Sequence, residues 1–172
     1  MVFAISVGYA DYMNFWSGFY KAGALRKEVS CVAILQDGKI LMGRRRDNQK
    51  FTNPGGHLEP GEDPADGAIR EVKEEAGLDL DKSKLEHLVS KEVTTPKGER
   101  YLIHAYKYDL DEKQPTSMKE DPDAEVRVWK WLSMPLDREV LDNLHSPKNV
   151  LLDALGLSLS KQDLSEMERV GR

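Results

Sequence analysis

The segment from residue 56 to residue 78 constrains this chain more than any other part of its sequence. Asp63 followed by Pro64 predicts a helix start, because Asp caps unpaired backbone N–H groups and Pro is preorganised for the first helical turn. Gly77 predicts the helix end, since Gly adopts the left-handed conformation there without strain. Between them one apolar stripe recurs at helical spacing: Ala65, Ala68, Ile69, Val72 and Ala76. The segment therefore predicts a helix packed on a core.

Three glutamates crowd the last turns of this predicted helix. Glu71, Glu74 and Glu75 stand at i, i+3 and i+4, where like charges repel by about 0.2–0.5 kcal/mol per pair on an exposed helix. They also lie toward the negative end of the helix dipole, which disfavours carboxylates. A sequence that accepts both costs indicates a bound cation, although a Glu triplet taken alone is more often a solvated helix face.

The same segment resembles the signature of the Nudix hydrolases at every fixed position. That signature is Gly, five residues, Glu, seven residues, then Arg-Glu-apolar-x-Glu-Glu-x-Gly-apolar. Its fixed places are filled here by Gly56, Glu62, Arg70, Glu71, Val72, Glu74, Glu75, Gly77 and Leu78. So many constraints at fixed spacing are far more specific than a lone glycine motif. The complete signature therefore favours a metal site over a solvated helix face.

The order of predicted elements is strands, one helix, more strands and then helices, which indicates an α+β or mixed α/β layered domain. Strands are predicted over residues 29–35, 40–44, 85–95, 100–110 and 125–132, and short helices over 137–145 and 147–155. The resemblance sharpens this to an α/β/α sandwich with a mixed central sheet and a loop-helix-loop motif. The expected domain is 29–155, between an N-terminal extension, 1–28, and a polar tail, 156–172.

The resemblance also implies a divalent metal site, with Mg²⁺ as the expected ion and Mn²⁺ as the alternative. Hard cations of this kind take oxygen ligands. The implied ligands are the carboxylates of Glu71, Glu74 and Glu75 and the backbone carbonyl of Gly56. Family members often add one Glu from a later loop, for which Glu125 is the first choice. Its competitors are Glu120, Asp121 and Asp123.

Catalytic roles follow from the same resemblance. Glu71 is the first choice for the general base that takes the proton of the attacking water, and Glu120 is the second. Arg70 is expected to orient a catalytic Glu and to pair with Glu74, and Glu75 is counted with the catalytic residues.

The substrate-binding residues follow less directly. The arginines from 44 to 46 end the predicted second strand, and at most two of them point inward. We assign Arg44 and Arg46 to phosphate, which suits the bidentate fork of Arg, although a basic cluster is more often solvated. Asn53 precedes the glycine pair 55–56 and is expected either to hydrogen-bond a base or to cap a turn.

Composition narrows the class of partner. The net charge of −5 argues against a bulk nucleic-acid binder. No stretch approaches the roughly 20 apolar residues that span a bilayer, and the N-terminus lacks the positive region of a secretion signal. We therefore expect a cytoplasmic protein with a small-molecule nucleotide partner and no membrane partner. Aromatic residues at 15–20 are expected to pack on the domain or on a second subunit, which leaves a homodimer open.

The implied reaction is hydrolysis of a phosphoanhydride in a nucleoside diphosphate linked to another group. The substrate stays open among (d)NTPs, ADP-ribose or sugar nucleotides, and dinucleoside polyphosphates. The alternative is a non-catalytic nucleotide sensor of the same fold, but such relatives typically lose signature glutamates that this chain keeps. A second alternative, an isopentenyl diphosphate isomerase of the same fold, would need a catalytic Cys. The single cysteine, Cys31, lies in an apolar stretch, which disfavours this activity.

Overall fold

The computed structural model describes residues 26–111, 125–145 and 150–157. Seven strands join in one sheet: β1 Lys27–Gln36, β2 Lys39–Arg45, β3 Phe51–Thr52, β4 Gly55–His57, β5 Glu86–Thr94, β6 Arg100–Asp109 and β7 Val126–Ser133. The helices of these ranges are α1 Pro64–Ala76, α2 Arg138–Asp142 and α3 Val150–Ala154, with a 3-10 turn at Lys82–Lys84. The predicted aromatic cluster at 15–20 and most of the polar tail lie outside the described residues.

The central strand β1 makes the sheet mixed. It pairs in parallel with β6 from Lys27↔Tyr101 to Leu35↔Asp109, and β5 continues the sheet antiparallel to β6. On its other side β1 pairs antiparallel with β2 and with the short β4. The hairpin from β1 to β2 turns at Asp37 and Gly38, which both have positive φ, as a two-residue hairpin turn requires. β2 in turn pairs with β3 and β7.

Side chains alternate across the sheet and fill two cores. Val32 and Ile34 of β1 lie on the α1 face, whereas Ala33 between them lies on the face of α2 and α3. The α1 face buries Leu41, Ala68, Val72, Ala76, Leu78, Tyr106, Tyr108 and Trp129. The opposite face buries Ile40, Met42, Ile103, Ala105, Leu136, Val140, Leu144, Val150, Leu151 and Leu152. Helices on both faces of a mixed sheet confirm the predicted α/β/α sandwich.

Helix α1 begins and ends as its sequence predicts. The Asp63 carboxylate accepts hydrogen bonds from the backbone N–H groups of Ala65 and Asp66, at 3.0 and 3.3 Å. Gly77 ends the helix at φ 71°. The buried stripe turns Glu71 and Glu75 toward the interior on its flank, where both are half-buried, and leaves Asp66, Lys73 and Glu74 exposed to solvent.

Two local predictions need correction. The glycines at 55 and 56, expected in a turn, belong to strand β4 and pair with Cys31 and Ser30. Helix α2 is shorter than the predicted 137–145, because the chain after Asp142 pairs with β3 instead. The N–H of Phe51 donates to the Asn143 carbonyl at 2.8 Å, and the Phe51 carbonyl accepts from the His145 N–H at 2.7 Å.

None of the helices within the described ranges has the length and apolar character required to span a bilayer.

Candidate active site

Two glycines bring strand β4 against the carboxyl groups of α1. Gly55 has φ 151°, and a Cβ there would lie 2.2 Å from the Ser30 carbonyl oxygen. A Cβ on Gly56 would lie 2.5 Å from the carboxyl carbon of Glu71. Only glycine fits either place, because real Cβ atoms do not approach other atoms so closely. The Glu71 carboxyl group therefore rests directly on the backbone of Gly56.

The Glu75 carboxyl group lies deepest in this site. Its Oε2 accepts a hydrogen bond from the Gly55 N–H at 2.9 Å. Burial, together with the charges of Glu71 and Glu125, raises the pKa of Glu75 to about 7, while the Gly55 hydrogen bond and the charge of Arg45 oppose this rise. Burial without a dedicated cation therefore disfavours the charged carboxylate.

Arg70 ties the carboxylates of the site together. Its Nε and Nη2 donate to the two oxygens of Glu62 at 2.8 and 2.9 Å. Its Nη1 donates to Glu71 at 2.9 Å and to Glu74 at 3.1 Å, and Nη2 also donates to the His57 carbonyl oxygen at 3.1 Å. These five hydrogen bonds match the five N–H donors of a guanidinium group.

The carboxyl groups that contact the Arg70 guanidinium group have pKa values shifted in opposite directions. It holds the pKa of Glu62 down to about 2. Burial raises the pKa of Glu71, an effect that Arg70 opposes. The predicted Arg70–Glu74 pair is present, and Glu62 also accepts from the Glu59 N–H at 2.9 Å, which stabilises the loop before α1. The site is thus a set of carboxylates organised around one cation.

Gly67 serves packing within the same loop. A Cβ there would lie 2.3 Å from Leu58 Cδ2 and 2.9 Å from Glu62 Oε2. Tight contact with the loop explains this glycine.

The donor chemistry of the site fits a hard divalent cation. Glu71 and Glu75 face β4 with oxygen atoms only, and burial raises the pKa of both carboxyl groups, as expected where positive charge is in deficit. As placed, no three His, Cys, Asp or Glu side chains of the described ranges converge on one point. Glu74 lies on the exposed side and must turn from Arg70 to join such a cluster.

Glu125 lies just before strand β7, and its side chain is 68% exposed. Its carboxylate accepts from Arg45 Nη1 at 2.8 Å, and its charge acts on Glu75. Its three sequence competitors at 120, 121 and 123 lie outside the described residues.

Alternation along β2 sends the three arginines to different places. Arg45 follows Leu41 and Gly43 on the α1 face, where its side chain is only 16% exposed. Arg44 lies on the opposite face and covers the Phe51 ring, with its guanidinium carbon 4.5 Å from the ring centroid. Arg46 is exposed, and its backbone N–H donates to the Glu125 carbonyl at 2.9 Å. The sequence prediction named Arg44 and Arg46 and missed Arg45.

A pocket of about 350 Å³ lies on the face opposite α1. Its lining is mostly apolar, with charged groups among it: Met42, Arg44, Phe51, Val128, Lys130, Leu132 and Glu139. Asn53 lies next to this lining, with its amide nitrogen 3.3 Å from Met42 Sδ. The pocket joins residues of β2, β7 and α2 that are distant in sequence.

The aromatic residues of the central strands serve packing, as expected from their alternation. Tyr106, Tyr108 and Trp129 are buried in the core of the α1 face. The Trp129 Nε1–H donates to the Glu75 carbonyl at 2.9 Å and so ties the end of α1 to β7.

The family model of the NUDIX domain matches the sequence of this chain over residues 24–153, a range that contains the sheet, α1 and the site around Arg70. The chain belongs to the NUDIX family. This confirms the predicted membership. The solved NUDIX hydrolase from Nitrosomonas europaea superposes with a TM-score of 0.60 at 22% identity, over 77% of this chain and 87% of that one. At that identity the likeness shows the fold.

Two curated relatives of the NUDIX domain are similar in sequence. The "MutT-like protein" of Streptomyces ambofaciens is 31% identical over 127 residues, which cover 74% of this chain and 75% of that protein. The "Putative ADP-ribose pyrophosphatase YjhB" of Bacillus subtilis (strain 168) is 36% identical over 53 residues, or 31% of this chain. The chain aligns with 26% of the length of the latter. The prediction of an enzyme class, Nudix hydrolase, agrees with these relatives.

Proposed function

We propose that this NUDIX protein is a divalent-metal-dependent pyrophosphohydrolase that cleaves the phosphoanhydride of a nucleoside diphosphate linked to another group. The observation that carries the proposal is the carboxylate set on one flank of α1, pressed against the glycines of β4 and organised by Arg70. A merely structural helix face gains nothing from burying Glu71 and Glu75, because burying carboxylates is unfavourable.

The metal ligands in this proposal are Glu71, Glu74 and Glu75 with the Gly56 carbonyl, and Glu125 from the start of β7. Mg²⁺ is the expected ion, and Mn²⁺ suits the same oxygen donors. A bound ion of this kind neutralises phosphate charge and lowers the pKa of a water that it binds. The oxygen-only donors on α1 support this assignment.

The remaining chemistry belongs to side chains of the domain. Glu71 takes the proton of the attacking water, a role typically worth 10²–10⁴-fold in rate. Arg70 Nη1 contacts the Glu71 carboxylate at 2.9 Å and fixes its orientation. The Gly55 N–H holds one oxygen of Glu75 and leaves the other to bind. Glu62 in turn fixes the Arg70 fork from the other side.

The pocket on the opposite face is assigned to the part of the substrate that does not react. Its volume of about 350 Å³ lies within the range of about 300–1,000 Å³ typical of small-molecule sites. Arg44 lines this pocket and is proposed to contact a phosphate or the linked group of the substrate, and Asn53 lies next to the lining. Arg46, which is exposed at the end of β2, is still proposed to contact a substrate phosphate. The relative named for ADP-ribose makes that compound the first candidate substrate.

The proposal is tested with a panel of nucleotides in the presence of Mg²⁺, with products identified by mass spectrometry. The panel contains ADP-ribose, (d)NTPs, sugar nucleotides and a dinucleoside polyphosphate, and EDTA is the metal-free control. We expect a nucleoside monophosphate with a phosphorylated remainder, or pyrophosphate from a triphosphate. Tight nucleotide binding without hydrolysis of any member would contradict an enzyme and favour the sensor.

The cytoplasmic location, the homodimer and the boundaries of the domain at residues 29–155 stay predictions.

A further inference from the structure

Arg45 is held by two acidic side chains at the edge of the candidate active site. Its Nε and Nη2 donate to the two oxygens of Asp47 at 2.9 and 3.1 Å, a bidentate pair that fixes the plane of the guanidinium group. The remaining Nη1 donates to Glu125 Oε2 at 2.8 Å. The Arg45 side chain is 16% exposed, whereas those of Asp47 and Glu125 are 57% and 68% exposed. The cation is therefore the anchored member of the three.

The backbone places this cluster beside the end of α1. Arg45 pairs with Val126 across the β2–β7 ladder, and the Glu125 carbonyl accepts from the Arg46 N–H at 2.9 Å. Three residues after Val126, Trp129 bonds the backbone carbonyl of Glu75 through its indole at 2.9 Å. The backbone of Glu75 and the residue Glu125 are thus both held at the same short stretch of β7.

We propose that Arg45 is a positioning residue that holds Glu125 for metal binding beside Glu75. The inference rests on the proposed function, because Glu125 is a ligand only in that proposal. Arg45 bonds one oxygen of Glu125 at 2.8 Å and does not bond the other, and the charge of Glu125 acts on Glu75. An unrestrained Glu loses rotamer freedom when a metal fixes it, and the contact with Arg45 removes part of that cost before a metal binds.

The charge balance permits this role. Arg45 is paired with two carboxylates, so the three side chains together carry a net negative charge and do not repel a cation as an isolated Arg would. A rival role for Arg45 is direct contact with a substrate phosphate, which requires it to leave Glu125. The two roles differ in whether metal binding without nucleotide depends on Arg45.

The test is Mn²⁺ binding measured by electron paramagnetic resonance without nucleotide. We compare the wild type, Arg45→Met, Glu125→Gln and the double variant. Residues that orient metal ligands typically contribute 10–100-fold to affinity, so each single change is expected to weaken Mn²⁺ binding about 10-fold. The double variant is expected to bind as weakly as Glu125→Gln alone, because Arg45 acts through Glu125. Thermal unfolding verifies that each variant folds.

Two further variants complete the test. Asp47→Asn loosens the contact with Arg45 without changing Arg45 or Glu125 and is expected to weaken Mn²⁺ binding about 3-fold, a fraction of the effect of removing the cation. Arg100→Met is the matched control, since Arg100 pairs with Glu92 at 3.2 Å on the β5–β6 edge and is expected to leave Mn²⁺ binding unchanged.

Two results would overturn the positioning role while the proposed function stands. In the first, Arg45→Met binds Mn²⁺ as the wild type does and raises only the KM of the substrate, which identifies a phosphate contact. In the second, the losses of Arg45→Met and Glu125→Gln add up in the double variant. If Glu75→Gln leaves Mn²⁺ binding unchanged as well, the metal site on α1 is wrong, and both proposals fail.

Discussion

At the end of β2, the two faces of the sheet differ sharply in the side chains that surround its arginines. On the α1 face, Arg45 and Arg70 are surrounded by carboxylates at hydrogen-bond distance. On the opposite face, Arg44 lies on the Phe51 ring at the edge of a mostly apolar pocket. Adjacent arginines in one strand thus belong to two environments, because successive side chains of a strand point to opposite faces.

This contrast indicates that the two faces of the sheet have different roles in the proposed reaction. The carboxylates proposed to bind metal are concentrated on the α1 face, and the pocket proposed to accept the rest of a ligand, with Arg44 at its edge, lies on the other. Changes on the α1 face should therefore act on kcat and metal binding, and changes in the pocket should act on KM.

The largest effect is expected from the buried carboxylates. Glu71→Gln and Glu75→Gln should each lower kcat at least ~100-fold, within the range for a proton-transfer residue, while the fold survives. Steady-state kinetics with Mg²⁺ and circular dichroism measure both quantities. Near-normal rates in both variants would remove the distinction between the two faces.

A second large effect is expected from Gly55, the glycine that lets β4 lie close to β1. Gly55→Ala places a Cβ 2.2 Å from the Ser30 carbonyl oxygen, at a φ of 151°, and should lower the free energy of unfolding by about 3 kcal/mol, the upper end for overpacking. Gly98→Ala is the matched control, because its φ is 82° but nothing lies within 4 Å. It should lose only about 1 kcal/mol from left-handed strain. Equal losses in urea unfolding would show that close approach is unimportant.

The pocket face should respond more weakly and in a different parameter. Arg44→Met should raise KM about 10-fold and change kcat little, since a hydrogen bond to a charged group contributes about 1.5–3 kcal/mol. Arg100→Met, on the distant sheet edge, is the control with unchanged kinetics. A fall in kcat at constant KM would instead place Arg44 with the reacting groups.

The smallest effect concerns Glu62 and acid. Its pKa is lowered to about 2 by Arg70, below the ordinary value near 4.3. A lowered carboxyl pKa stabilises the folded state above the unfolded pKa, and this stabilisation is lost as pH falls from about 4.3 toward 2. The stability gap between the wild type and Glu62→Gln should shrink over that interval, as measured by urea unfolding at several pH values. A gap that stays constant between pH 6 and pH 2.5 would disprove the assignment.

Local signals in the sequence were sufficient for α1. Asp63 and Gly77 mark the ends of the helix because capping depends on residues that are adjacent in the chain. The Arg70–Glu74 pair was predictable for the same reason, since i,i+4 side chains meet on any helix. The bidentate contact of Arg70 with Glu62, eight positions away, was not, because it depends on how the loop folds back.

The faces of β2 were beyond prediction for a related reason. Alternation tells that Arg44 and Arg45 point to opposite sides, but the side that carries α1 is set by pairing distant in sequence, such as β2 with β7. The pocket likewise depends on Val128 and Glu139 reaching Met42 through the fold. Sequence therefore indicated the reacting carboxylates and left the recognition surface unassigned.

The most direct test of the account is a crystal soaked with Mn²⁺ and a non-hydrolysable nucleotide analogue, with the ions located by anomalous scattering. We expect Mn²⁺ within about 2.3 Å of carboxylate oxygens of Glu71 and Glu75, the phosphates in contact with those ions, and the rest of the analogue in the pocket beside Arg44. Ions and phosphates bound away from α1 would contradict the account.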